Sequence, residues 1–353
     1  MTATTDILDN THTHQCNDSI RCVYTSACVN HRSGCISVLP LRTTTSDTTS
    51  VLAFGSSHAI CLSVGICAEL DSPDGSDLQS IVPMFRIFEV LHGHDAPVVA
   101  VRWISSSNVI DSSVAFRLLA SLDATGKLLL WCCHVNDIVL TADPVISSCC
   151  HVVLDLHLPN GCTPSAVDGC MVTSRTDSHP DLISFALDVT ANTALYSWHT
   201  HLSVGADRPS VVYTSDPVIV QRKPAMCLCI RSVCWPLMAQ CAPSTSGDCS
   251  LHMMFVGLDN GNIEVWVEHI PSFSVPTTTE PRKFIHSATL FGHTDWVRCL
   301  DICTKQKGFT PSAFLVSGSQ DHIIRIWRLY GPDSHRSFSE ENRSTLKVRD
   351  LSL

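Results

Sequence analysis

The stretch Leu290-Phe-Gly-His-Thr-Asp-Trp-Val-Arg-Cys-Leu300, followed by Phe314-Leu-Val-Ser-Gly-Ser-Gln-Asp-His-Ile-Ile-Arg-Ile-Trp327, decides how the rest of the chain is read. It runs Gly-His, an apolar strand, a small-residue strand ending in Asp, and a second apolar strand ending in Trp. The same order occurs in Leu91-His-Gly-His-Asp-Ala-Pro-Val-Val-Ala-Val101 and Leu118-Leu-Ala-Ser-Leu-Asp-Ala-Thr-Gly-Lys-Leu-Leu-Leu-Trp131. His94 precedes Asp123 by 29 positions and His293 precedes Asp321 by 28. Weaker copies lie between and before them. Met253–Trp266 is a good second half, Leu182–Trp198 is more degenerate, and Val51–Leu62 has the strand–turn–strand shape without Asp or Trp.

A unit of this kind, recurring with Gly-His and a terminal Trp, is the signature of WD-type propeller blades. The expectation is an all-β chain, a WD40-type β-propeller with about five recognisable blades. Elsewhere the apolar runs are short, rich in Val, Ile, Leu and Cys, and broken by Gly, Asp, Asn, Ser and Pro, which reads as strands and tight turns. Blades are expected at about 21–65, 85–135, 150–200, 210–270 and 284–330. A flexible arm (1–20) precedes them and a polar tail or linker (331–353) follows. The copies lie farther apart than the roughly 40–45 residues of an ordinary repeat, so surplus length is assigned to loops at Ser105–Ser113, Cys162–Pro180 and Pro236–Ser250.

Bulk properties narrow the function. Apolar residues make up 44% of the 353 and charged residues 16%, which argues for a folded, soluble chain. With 33 acidic against 23 basic residues the formal charge is −10, and no dense Lys/Arg cluster appears. Direct nucleic-acid binding is therefore not expected. The N-terminus lacks the basic and apolar regions of a secretory signal, and no apolar run approaches the roughly 18 residues of a membrane-spanning helix. The 19 cysteines are then read as reduced thiols, many of them small core hydrophobes such as Cys132, Cys133, Cys227 and Cys229.

The repeated polar residues are assigned to structure. In such a blade the Gly-His imidazole, a strand hydroxyl, the turn Asp and the Trp indole satisfy one another in a buried network. The candidates are His94, Ser121, Asp123 and Trp131; Asp259 and Trp266; and His293, Ser317 or Ser319, Asp321 and Trp327. A Ser/His/Asp hydrolase triad is needed once, whereas this set recurs with its Trp. His12-Thr-His14-Gln-Cys16 and Cys227-Leu-Cys229 lack the paired Cys-x₂-Cys spacing of structural zinc. No phosphate-binding or metalloprotease motif is present. No catalytic, cofactor or metal residue is therefore assigned, and the chain is read as a non-enzyme. What remains is surface: Asp295, Trp296 and Arg298, directly after Gly-His, have the composition of a binding hot spot, with packing between blades as the alternative for Trp296.

Gly292–Arg298 and Ser317–Tyr330 go beyond the general repeat pattern. Together they resemble the fifth blade of the first propeller in the Elongator complex protein 2 family. Leu52–Leu62 is similar to that family's opening blade, Gly93–Trp103 to its second, and Ala225–Ile230, without Gly-His, to the start of its fourth. The resemblance implies an incomplete part of a seven-bladed propeller and a non-catalytic scaffold. Such a scaffold would join the large first and the catalytic third Elongator subunits, supporting transfer-RNA wobble-uridine modification in the cytoplasm, also in the nucleus. It implies partner contacts at Asp295, Trp296, Arg298 and Arg325. A general WD-repeat adaptor of a ubiquitin-ligase or signalling complex is the alternative reading.

Overall fold

The computed structural model describes residues 35–42, 48–69, 81–104, 116–134, 150–172, 182–203, 209–221, 225–236, 250–269, 282–305, 312–330 and 347–350. Among these every regular element is a β-strand. The first sheet is β1 (Ile36–Arg42), β2 (Thr48–Ser56), β3 (Ala59–Glu69) and β4 (Ile81–His92). The second is β5 (Val98–Trp103), β6 (Phe116–Asp123), β7 (Lys127–His134) and β8 (Cys150–His157). In the third, β9 (Pro164–Val172), β10 (Leu182–Ala191) and β11 (Ala194–Ser203) are edged by two short strands, β12 (Ser210–Thr214) and β13 (Val218–Gln221), both paired with β11. The fourth is β14 (Cys227–Pro236), β15 (Ser250–Leu258), β16 (Ile263–His269) and β17 (Lys283–Leu290); the fifth is β18 (Val297–Lys305), β19 (Ser312–Ser319), β20 (Ile324–Tyr330) and β21 (Lys347–Asp350). All pairings are antiparallel meanders, and the five sheets are the blades of a β-propeller.

The second, third and fourth blades are each sandwiched between two neighbours, which explains their sequence. Strands β6 and β7 are buried on both faces and read as near-continuous apolar runs, while the edge strand β8 alternates with exposed polar residues. The core is accordingly a series of layers between blades. Val51, Leu62, Trp103 and Trp131 fill the layer between the first and second. Leu118, Leu130, Phe185 and Leu187 fill the next. Leu195, Ile230, Met254 and Val256 lie between the third and fourth, and Phe255, Val265, Leu315 and Trp327 between the fourth and fifth.

The strand limits differ from the sequence expectation in a consistent way. The first four sheets take their outer strands from the residues just before the next Gly-His or its equivalent, so blade and repeat are offset by one strand. Cys150–His157, for example, closes the second sheet rather than opening the third. Pro164–Val172, expected in a loop, is the inner strand of the third blade: its polar residues are satisfied by neighbours, Ser165 by Thr190 and Asp168 by Arg102, Arg231 and the Ser232 amide, so a uniformly apolar strand is not required. Residues 347–350, expected in a polar tail, pair with β20 through Trp327–Tyr330, because an edge strand contributes backbone bonds and needs little apolar content. The arm at 1–20 and the insertions at 105–113 and 237–249 lie outside the described residues.

Candidate partner-binding face

The second and fifth blades build the same polar chain. In the second, His94 Nδ1 lies 3.1 Å from Asp123 Oδ2 and Nε2 lies 2.7 Å from Ser121 Oγ, to which Trp131 Nε1 donates at 2.8 Å. In the fifth, the corresponding distances from His293 to Asp321 and Ser317, and from Trp327 to Ser317, are 2.9, 2.8 and 2.9 Å. A carboxylate only accepts, so Nδ1 carries the proton. The indole then donates to the hydroxyl, the hydroxyl to Nε2, and Nδ1–H to Asp, and every polar atom is used once. Burial lowers His94 below the usual imidazole range despite the Asp123 contact, in keeping with the neutral ring this chain requires. Burial pushes Asp123 the other way, but the Thr125 hydroxyl, the Lys127 amide and His94 outweigh it and hold the carboxyl below its ordinary value.

Ser319, the other candidate, bonds elsewhere: its hydroxyl donates to the Asp295 carbonyl at 2.9 Å. Asp321 also accepts from the amides of Thr294 (3.0 Å) and Ile323 (2.9 Å), which locks the two loops flanking the Gly-His segment together. The fourth blade departs from the expectation. Asp259 accepts from the Met226 amide, and Trp266 Nε1 turns to Glu264 at 2.9 Å. The reason is chemical: the position that holds Ser121 and Ser317 is Val256 here, so the indole has no hydroxyl to meet, and there is no Gly-His imidazole. Asp321→Ala is therefore expected to lower the unfolding free energy by about 1–3 kcal/mol, since it orphans a buried imidazole. Asp259→Ala should cost less than about 1 kcal/mol. Urea titration of both variants measures the contrast, and equal losses would contradict it.

The locked loops present Asp295, Trp296 and Arg298 together. Asp295 Oδ1 accepts from the Trp296 amide at 2.7 Å, and the Trp296 carbonyl accepts from Gln320 N at 2.9 Å. The indole itself stays 43% exposed, with the Arg298 guanidinium over its ring at 5.2 Å. It is an aromatic side chain on an immobilised backbone, which limits the ordering cost of binding. Phe291, 71% exposed just before Gly292, and Ile324, 70% exposed at the start of β20, add apolar surface. Arg325 is placed differently: half-buried, it runs beneath Gly292, whose hypothetical Cβ would meet its Nε at 3.0 Å. It supports the loop that carries the other three.

A second polar cluster was not legible in the sequence. Arg102 on β5, Asp168 on β9, Arg231 on β14 and Asp301 on β18 converge from four inner strands. Arg102 lies 3.5 Å from Asp168 and 3.7 Å from Asp301, and Arg231 reaches Asp168 at 3.1 Å and pairs with Asp301. Asp168 also accepts from the Ser232 amide at 2.8 Å. Burial pushes its carboxyl up to about 6, against the pull of Arg102. The available signal was a charge in the middle of each inner strand, with Arg102 and Asp301 each eight positions past the Gly-His imidazole. A third cluster, His252 on β15 with Asp188 on β10 at 2.8 Å, pins the third and fourth blades together; the repeat pattern puts Asp188 at a turn, whereas β10 continues to Ala191.

No protein-family model matches the chain. It is 31% identical over 120 residues to Elongator complex protein 2 of Drosophila melanogaster, covering 34% of this chain and 13% of that protein. To Elongator complex protein 2 of Arabidopsis thaliana it is 26% identical over 249 residues, 69% of this chain and 25% of that protein. Protein transport protein SEC13 of Mycosarcoma maydis is 24% identical over 264 residues, 69% of this chain and 64% of its own length. The chain thus spans less than two thirds of each of these relatives. Among solved structures, a chain of an active polycomb repressive complex 2 aligns over 87% of this chain and 50% of its own at 12% identity and a TM-score of 0.39. The relatives from two different WD-repeat proteins agree with the blades and their polar networks: this is a WD-repeat propeller with distant similarity to Elongator complex protein 2.

Proposed function

We propose that the chain acts as a non-catalytic scaffold subunit of the Elongator complex, supporting modification of transfer-RNA wobble uridine by the catalytic subunit. The observation that carries this reading is the similarity to Elongator complex protein 2, which extends over 69% of the chain in one relative and recurs in three organisms. The geometry agrees with a scaffold: the Ser/His/Asp sets are consumed by their own strand networks, and the Asp295–Trp296–Arg298 turn offers a rigid, half-exposed aromatic anchor. The proposed partners are the large first subunit and the catalytic third subunit, and the proposed location is the cytoplasm, also the nucleus.

Affinity capture of the tagged chain from its native cells, followed by mass spectrometry, tests the reading. Recovery of the large and catalytic Elongator subunits is expected. Hot-spot truncations cost about 2 kcal/mol or more, so Trp296→Ala with Arg298→Ala should lower recovery by roughly 30-fold or more. Recovery of a ubiquitin-ligase or signalling complex instead would replace Elongator by the general adaptor. Undiminished Elongator recovery by the double variant would move the contact away from this turn.

A further inference from the structure

The second blade holds three metal-ligating side chains on one face of its outer strands. Cys132 and His134 are two apart on β7 and therefore point the same way. His151 on β8 stands directly across the ladder from Cys132. The two imidazoles lie nearly parallel, with ring centroids 5.9 Å apart and 21° between planes. One ligand atom from each of the three residues falls within 4.8 Å of the others. Cys132 is wholly buried in the apolar layer between the second and third blades, while both histidines are half-buried. None of the three belongs to a Gly-His/Asp/Trp network.

We infer that Cys132, His134 and His151 form a zinc-binding site, with the fourth position taken by water or a further ligand. Thiolate and imidazole are the donors that select zinc over magnesium or calcium, and three protein ligands plus an open position is a common zinc arrangement. With Zn–S near 2.3 Å and Zn–N near 2.0–2.1 Å, ligand atoms sit about 3.3–3.6 Å apart. The present spacing therefore closes with side-chain movements of about an ångström. On binding, Zn²⁺ displaces the Cys132 proton: an S–H bond breaks, an S–Zn bond forms and H⁺ leaves to solvent. Burial, which pushes this thiol up to about 12, makes that exchange depend on the metal being held by all three ligands. The ligands come from either side of residues 135–149, His134 ending β7 and Cys150–His151 opening β8. A bound ion fixes the edge strand β8 to β7.

The test uses the full chain, stripped with chelator and titrated with Co²⁺, whose thiolate charge-transfer and four-coordinate visible bands report Cys/His ligation. One equivalent is expected to give both bands, and Zn²⁺ should bleach them. Cys132→Ser removes the charge-transfer band. Because that residue lies in the core, His134→Asn with His151→Asn is the deciding variant: it leaves Cys132 and the apolar layer intact, should retain the wild-type circular dichroism melt without metal, and should lose the equivalent. Absence of the bands in the wild-type chain, or their persistence in the double-histidine variant through the other cysteines, overturns the site.

Discussion

Asp188→Ala is expected to lower the unfolding free energy by about 3–5 kcal/mol, the usual consequence of removing one partner from a buried ion pair. Asp188 and His252 are both fully buried and lie on different blades, so the loss falls on the contact between blades. Burial alone would raise Asp188; the imidazolium of His252 reverses this and holds the carboxyl below its ordinary range. Burial would likewise lower His252, and Asp188 raises it instead. The two shifts agree that the charged pair is the favoured state. A depressed carboxyl contributes stability above its unfolded value of about 3.9, and a raised imidazole contributes below its unfolded value of about 6.5. The difference between wild type and Asp188→Ala is therefore greatest between about pH 4 and 6.5. It shrinks as pH rises through the folded value of His252, or falls through that of Asp188. Glu268, 3.8 Å from the other His252 nitrogen, is too distant to replace the lost bond. Urea denaturation across this range measures the effect, and a pH-independent difference would show that the pair is not charged.

Phe185→Ala should cost a similar amount, about 3–5 kcal/mol, by a different route. Its ring has no exposed surface and fills the layer between the second and third blades against Leu118, Leu130 and Leu187. Blades are stabilised mainly by their neighbours, as in other repeat architectures. The damage should therefore extend beyond the third blade: amide protection in β6 and β7 is expected to fall with that in β10. Loss confined to β10 in hydrogen-exchange measurements would contradict the layered core. Unlike that of Asp188→Ala, this loss carries no pH dependence.

Local chemistry determined much of this protein from its sequence. Gly-His, the strand serine, the turn Asp and the terminal Trp form a bonded set that recurs in the same order, with Ser and Trp ten positions apart both times, so the networks of His94 and His293 and the blades around them were legible residue by residue. The turn that raises Asp295, Trp296 and Arg298 was legible for the same reason. Where one member is missing, the pattern misleads: Val256 in place of a serine releases Trp266 and Asp259 to other partners.

The tertiary structure alone decided what depends on groups distant in sequence. Arg102, Asp168, Arg231 and Asp301 look like isolated charges in four separate strands, and become one cluster only because the propeller brings the inner strands of four blades together. Asp188 meets a histidine 64 positions away on the next blade. Cys132 reads as a core thiol, and His151 carries no signal of its own, until the register of β7 against β8 sets them opposite each other. The edge strand at 347–350 has little apolar signal because edge pairing draws on backbone bonds, which every residue carries. Periodicity and short-range bonding are written in neighbouring residues. Contacts across blades are written in strand register and in how neighbouring blades stack.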